Sequence, residues 1–387
     1  MADRAAVLGL GMVTPLGHGA EASAAAIRAG LARFAELPWS AAVYGSPVVG
    51  AVVVGVTDGL LGADRMARLA AGAVADLAEN AALSARDLAG AGFYVALPSP
   101  DRPGVDPSVA SSIGRRIGEA CSIGGVEART RVFPAGHAAT HAALVEALVD
   151  LRSRRVPRAI VGGVDTLVEP DTVAHYHAIG RLKSGDRPVG VMPGEAAAFF
   201  ALELLGPAEA RGATILAVLE APATAVEPIT IDGSGVCDGS GLAAAVARTL
   251  AALSDGGART GLLAGDLNGE PYRSEEFAYM VARALGGVET PCRLWHAADC
   301  IGDTGAASGA VAIALAARGL ARGYARTADA LVFASSEGGL RGSVFLRRHS
   351  SNYGGQVARG RLQPAPGALA DSPARPSPEG ARENTKG

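Results

Sequence analysis

The stretch FPAGHAATHAALVEALVDLRSRRVPRAIVGGVD, residues 133–165, decides how the chain is read. A small-residue turn at Gly136 opens an alanine-rich segment with helical apolar spacing, an arginine-rich break follows, and AIVGGV is a continuous apolar run of strand length. Turn, helix and fully apolar strand in succession predict a sheet covered by helices. One histidine, His137, stands where the turn becomes helix.

The same alternation recurs on either side. RAAVLGLGMVTPLG, residues 4–17, reads as a strand and turn, and GAEASAAAIRAGLARF after it as a helix. RMARLAAGAVADLAENAAL is a second long helix, AGFYVALP a strand, and GEAAAFFALELL, residues 194–205, another strand. Turn and charge signals over 207–214 end a first half. A second series follows: GSGLAAAVARTLAAL as helix, TGLLAGD as a strand end, SEEFAYMVARAL and AASGAVAIALAARGLARG as helices, DALVFASS and GSVFLRR as strands. Each series has a glycine turn opening an alanine-rich helix, at Gly136 and at Gly302, which suggests duplication. The expected division is 1–215, 216–348, and a Pro-, Gly- and Ser-rich disordered tail over 349–387.

Composition bounds the function. A chain of 387 residues, 49% hydrophobic, can fill a large core; with 52 glycines and 4% aromatic residues that core is built from small side chains in close contact. The formal charge of -3 gives no field to hold a nucleic acid. The cysteines Cys121, Cys237, Cys292 and Cys300 form no CxxC pair, and neither a signal peptide nor an apolar run long enough for a membrane is seen, so a cytoplasmic setting without nucleic acid or membrane partners is expected.

Four segments carry a resemblance. VLGLGMVTPLG, GVMPGEAAAFFALE, GSGLAAAVARTLAAL and GLRGSVFLRR, in this order and spacing, are similar to the opening strand and turn, the Gly-Glu-Gly-Ala strand entry, the helix before the first catalytic histidine and the glycine-rich closing hairpin of the β-ketoacyl-acyl-carrier-protein synthases. These ketosynthases belong to the thiolase-like condensing enzymes, and the likeness covers about residues 5–348. It implies an α/β fold of five layers, αβαβα, with two similar halves and mixed central sheets. It also implies a dimer, an acyl carrier protein as partner, and no cofactor.

The family's chemistry rests on a cysteine at a helix head, which carries the acyl chain, and on two histidines that act on the malonyl group. Counted back without a gap from IVGGVD, the cysteine position holds His137; a slip of one residue would put Gly136 there, which is no better a nucleophile. The first histidine, five residues before a proline, is matched by Asp266 before Pro271 in LLAGDLNGEPYRSEEF. The second histidine, ahead of a Gly-Ala-Ala-Gly helix, is matched by Asp303 in ADCIGDTGAASGA, and Ala298 stands for the family's lysine. In the closing loop SSEGGLRGS, Glu337 replaces the aromatic residue that screens the nucleophile, and Glu337, Gly338 and Gly339 are the expected substrate-side contacts.

Carboxylates at both histidine positions would repel a malonyl carboxylate and its enolate, so ordinary condensation is not expected. Two functions fit. The first is a non-condensing subunit, like a chain-length factor, paired with an active ketosynthase in fatty-acid or polyketide-type biosynthesis. The second is an enzyme of altered chemistry in which His137, oriented by a carboxylate, is the base for hydrolysis, dehydration or cyclisation of an acyl thioester. A third arrangement, His137 and His141 with the aspartates around a metal ion, ranks below both. The plainer readings are a helix cap for Asp303, a turn for Asp266 with Asn268 and Gly269, packing for Trp295 and His296, and a solvated helix end for RSRRVPR, residues 152–158.

Overall fold

Ala5–Val13 is apolar throughout and forms β1, buried along its whole length, which places it between two layers of other structure. The computed structural model describes residues 4–40, 44, 47–253, 260–286 and 293–350. The expected tail lies, from residue 351 onward, outside the described residues.

After β1 come the short pair β2 (Ala35–Glu36) and β3 (Val49–Gly50), then β4 (Gly92–Leu97), β5 (Thr130–Pro134), β6 (Ala159–Thr166) and β7 (Glu195–Leu204). The second series is β8 (Ala217–Val226), β9 (Leu262–Gly265), β10 (Arg293–His296), β11 (Asp329–Ser335) and β12 (Leu340–Arg347). Ten of these make one sheet in the order β10-β9-β11-β12-β8-β1-β7-β6-β4-β5. Numbered within its own series, each set of five runs 3-2-4-5-1. The directions repeat as well: β4 is parallel to β5 and β6, as β9 is to β10 and β11, while β6–β7–β1 and β11–β12–β8 are antiparallel. The two first strands, β1 and β8, join the sets antiparallel through three residue pairs.

Seven helices organise the layers: α1 (Ala20–Arg28), α2 (Gly62–Asn80), α3 (Val109–Cys121), α4 (Ala139–Arg152), α5 (Ser240–Ala251), α6 (Pro271–Ala284) and α7 (Ser308–Arg322). Helix α4 touches β4 and β6 of the first set and β8 and β12 of the second; α7 touches β9 and β11 as well as β6 and β7. These two therefore lie between the sheet halves. Helices α2 and α3 cover the outer side of the first set, α5 and α6 that of the second, giving the five layers αβαβα. The three main apolar clusters match this layering, one in the centre and one under each outer layer.

Glycine and alanine make the central layer thin enough for backbone contact. A Cβ on Gly162 in β6 would lie 2.2 Å from the carbonyl oxygen of Ala198, and one on Gly163 2.4 Å from that of Ala306. The sequence reading placed these long elements correctly but named neither α3 nor β5 and β8. Residues 207–214, read as the end of the first half, hold most of a short helix, Leu205–Ala210, and the turn to β8. Among the described residues no helix is long and apolar enough to cross a membrane.

Candidate functional site

The three positions that carry the family's chemistry come from three loops. Gly136, at φ +76, turns the chain out of β5 so that His137 precedes α4 by two residues. Asp266 follows β9 directly, and Asp303 follows Gly302, at φ +71, ahead of α7. All three side chains are buried, and they meet in one hydrogen-bonded network.

His137 Nε2 is 2.8 Å from Asp303 Oδ1. Burial works against ionising Asp303, but His137, Arg273 and Asn268 override it and hold its carboxyl well below the usual range. An ionised carboxylate only accepts, so Nε2 carries the proton that faces it. Asn268 donates to Asp303 Oδ2 at 2.6 Å, and the Gly305 amide donates to Oδ1 at 2.8 Å. Asp303 thus bonds the first amide of the short turn Gly305–Ala307 and not α7 itself, whose N-cap is Ala307 and carries no side-chain cap. Asp266 is tied differently: its Oδ2 accepts from Arg273 and from the Ser335 amide, each at 2.8 Å. Arg273 lies between His137 and Asp266: its Nη1 donates to Asp266 Oδ2 and to the Ser335 carbonyl, and its Nη2 stands 3.2 Å from His137 Nε2.

A second arginine extends the network. Arg181 donates to both oxygens of Glu270, at 2.7 and 3.0 Å, and to Glu337 Oε1 at 2.6 Å; Tyr176 also donates to Glu337 at 3.0 Å. For Glu337 burial again opposes ionisation, and Arg181, His137 and Arg273 outweigh it, so its carboxyl is lowered. The expected substrate-side residue is therefore an internal ion-pair partner. Gly338 and Gly339 form the turn between β11 and β12, with Gly339 at φ +95.

The network fills the site. The cavity bordered by Asp266, Asn268 and Asp303 holds about 20 Å³, room for one water molecule and not for an acyl chain. The metal arrangement fails on charge and on position: the Arg273 guanidinium occupies the space between His137 and Asp266 where a cation would sit. His141 is completely buried, its ring nitrogens make no hydrogen bond to described residues, and burial lowers its pKa to about 4 despite the opposing field of Asp266. Among the described residues the one cluster with metal-ligating side chains close together is Glu227, Cys237 and Glu276, away from His137. There the Arg341 guanidinium already pairs with Glu276 at 2.5 Å.

Other readings change. The turn at 268–270 is made by Asn268, whose Oδ1 accepts from the Glu270 amide at 3.1 Å, and not by Asp266. Arg158 is half-buried against Glu203 and Asp87, so RSRRVPR is only partly a solvated end. Trp295 packs on Tyr324, as expected of a packing residue. Arg181, Glu270 and Arg273 were missed, and Asn268 was read only as a turn residue. One signal existed for Arg273: it is the third residue of a helix begun by Pro271, where the helix dipole disfavours a cation.

No family model matches the chain, and no curated protein matches it in sequence. Solved structures do match in shape. A chain of the complex of a type II PKS acyl-carrier protein with its ketosynthase bound to the hexaketide aligns with a TM-score of 0.75 and 16% identity, over 90% of this chain and 100% of that one. The ishigamide ketosynthase/chain length factor aligns at 0.72 and 17%, with the same coverage. The ketosynthase from module 6 of the bacillaene synthase from Bacillus subtilis 168 aligns at 0.73 and 15%, over 90% of this chain and 72% of that one. This is the ketosynthase fold. Within that fold the site of this chain is a closed lattice of ion pairs.

Proposed function

We propose that this protein is a non-condensing, chain-length-factor-like subunit that pairs with an active ketosynthase and helps handle acyl chains held on an acyl carrier protein. The observation that carries this reading is the closed network at His137, Asp266 and Asp303. Condensation needs a thiolate to hold the chain and open space beside it. The nucleophile position offers an imidazole already bonded to Asp303, with one water's volume nearby. A fold kept while its reaction centre is filled with buried ion pairs serves better as a shape-giving partner than as a catalyst.

The pairing surface we assign is the free edge of the sheet at β5. Among the described residues that strand pairs only with β4; Arg131 and Pro134 are exposed, and Val132 and Phe133 lie partly covered on its two faces. An unpaired edge of this kind is a template for a second strand. We also take the chain to be organised as two halves meeting near residue 215. Base chemistry by His137 has less support, because both Asp303 oxygens are already bonded and a thioester has no room to approach.

Co-expression with a cysteine-bearing ketosynthase tests the reading. A stable complex is expected, and His137→Ala in this chain should leave the condensing activity of the complex within about twofold, as for a residue outside the reacting atoms. Acyl-thioester hydrolysis or cyclisation by the isolated chain, abolished by His137→Ala, would overturn it in favour of altered chemistry.

A further inference from the structure

A cavity of about 670 Å³ opens between α1, β10, α7 and the turn after α7, with Leu315 and Trp295 in its wall. Its size is that of a small-molecule site. None of His137, Asp266 or Asp303 lines it, although Trp295, His296 and Leu315 also border the one-water cavity beside Asp266 and Asp303. We propose that the larger cavity binds an amphipathic carboxylate, an apolar body with one anionic end.

The lining divides into two zones. Ile27, Leu315 and the half-buried ring of Trp295 are apolar, and Trp295 stacks on Tyr324 with ring centres 5.9 Å apart at 28°. This aromatic shelf is fixed from behind: a Cβ on Gly319 would lie 2.7 Å from the Trp295 ring, so helix α7 holds the indole in place. At the mouth, exposed Arg28 lies over the Tyr324 ring at 5.0 Å, and exposed Arg326 lines the opening beside it in sequence. Arg293, also in the lining, donates to the Ala325 carbonyl at 3.1 Å. Asp299, the one carboxylate among the described lining residues, sits 3.3 Å from His296. The rim therefore carries net positive charge above an apolar floor. A neutral apolar ligand would leave the arginines unused, and a small inorganic anion would leave the aromatic shelf wet; a carboxylate on a hydrocarbon or aryl body satisfies both.

The sequence supplies its own reporter, because the chain has two tryptophans, Trp39 and Trp295. In full-length Trp39→Phe protein, octanoate should change the Trp295 emission saturably, and 1-octanol should bind at least about tenfold more weakly. Arg28→Ala with Arg326→Ala, both at exposed positions, should weaken octanoate by about tenfold and leave octanol unchanged. Exposed Arg115→Ala, on α3, is the control that changes neither. The proposal is overturned if Trp295 fails to respond up to about 10 mM octanoate, or if octanol binds as well as octanoate and the double arginine variant is without effect.

Discussion

His137 is a hydrogen-bond donor whose acceptor, Asp303, is itself fixed by Asn268 and by the turn that leads into α7. That positions 137, 266 and 303 would meet was legible in the sequence, because three motif positions in a familiar order could be counted from glycines and a proline, and the side chains do join one network. Arg181 and Arg273 were not legible as partners: an arginine in GRLKSGDR or PYRSEEF reads as solvent-facing, and only the fold shows that both guanidiniums point inward. His141, one helical turn beyond His137, is the residue whose burial has a measurable consequence. Its folded pKa is depressed to about 4 from 6.5, so its contribution to stability is complete above pH 6.5 and is lost as pH falls toward 4. At pH 5 the loss is about 2 kcal/mol. Guanidinium titrations at pH 7 and pH 5 should show a smaller decline for His141→Leu than for the native chain; parallel declines would show that position 141 has no part in it.

At the scale of elements, the long apolar strands and alanine-rich helices announced themselves by period, whereas β5 and β8 did not. Strand β5 reads TRVFP, half-exposed at a sheet edge, and β8 reads AVLEAPATAV, with a proline and a buried glutamate; neither has the continuous apolar run that marked β1 and β6. The glycine pair of β6 was legible as a motif, and its physical reason appears only in the packing. Gly163 faces the Ala306 carbonyl in the turn that presents Asp303, at a distance no Cβ can occupy. Gly163→Ala must push that turn away from β6. The expected cost is about 1–3 kcal/mol of overpacking, read as a lower denaturation midpoint. Because the turn also carries the Asp303 carboxylate, the His137 contact should loosen with it. The exposed Gly206→Ala, with open space around its Cβ, should change the midpoint by less than about 0.5 kcal/mol.

Across the whole molecule, the repeated strand order describes two like halves, yet the interactions that matter most cross between them. His137 belongs to the first series and its partners Asp303 and Arg273 to the second; Arg181 of the first series holds Glu270 and Glu337 of the second. Helices α4 and α7 each pack against strands of both sets, so the central apolar layer has no side that one half could complete alone. Cutting the chain at residue 215 would expose that layer in both fragments and strip the buried charges of their counterparts, and an unpaired buried charge costs several kcal/mol. The intact chain should therefore melt in a single transition whose calorimetric and van't Hoff enthalpies agree, and residues 1–215 expressed alone should show no cooperative unfolding. Two resolved transitions, or a fragment that melts sharply by itself, would mean that the halves are independent domains and that the ion pairs between them contribute little to holding the fold.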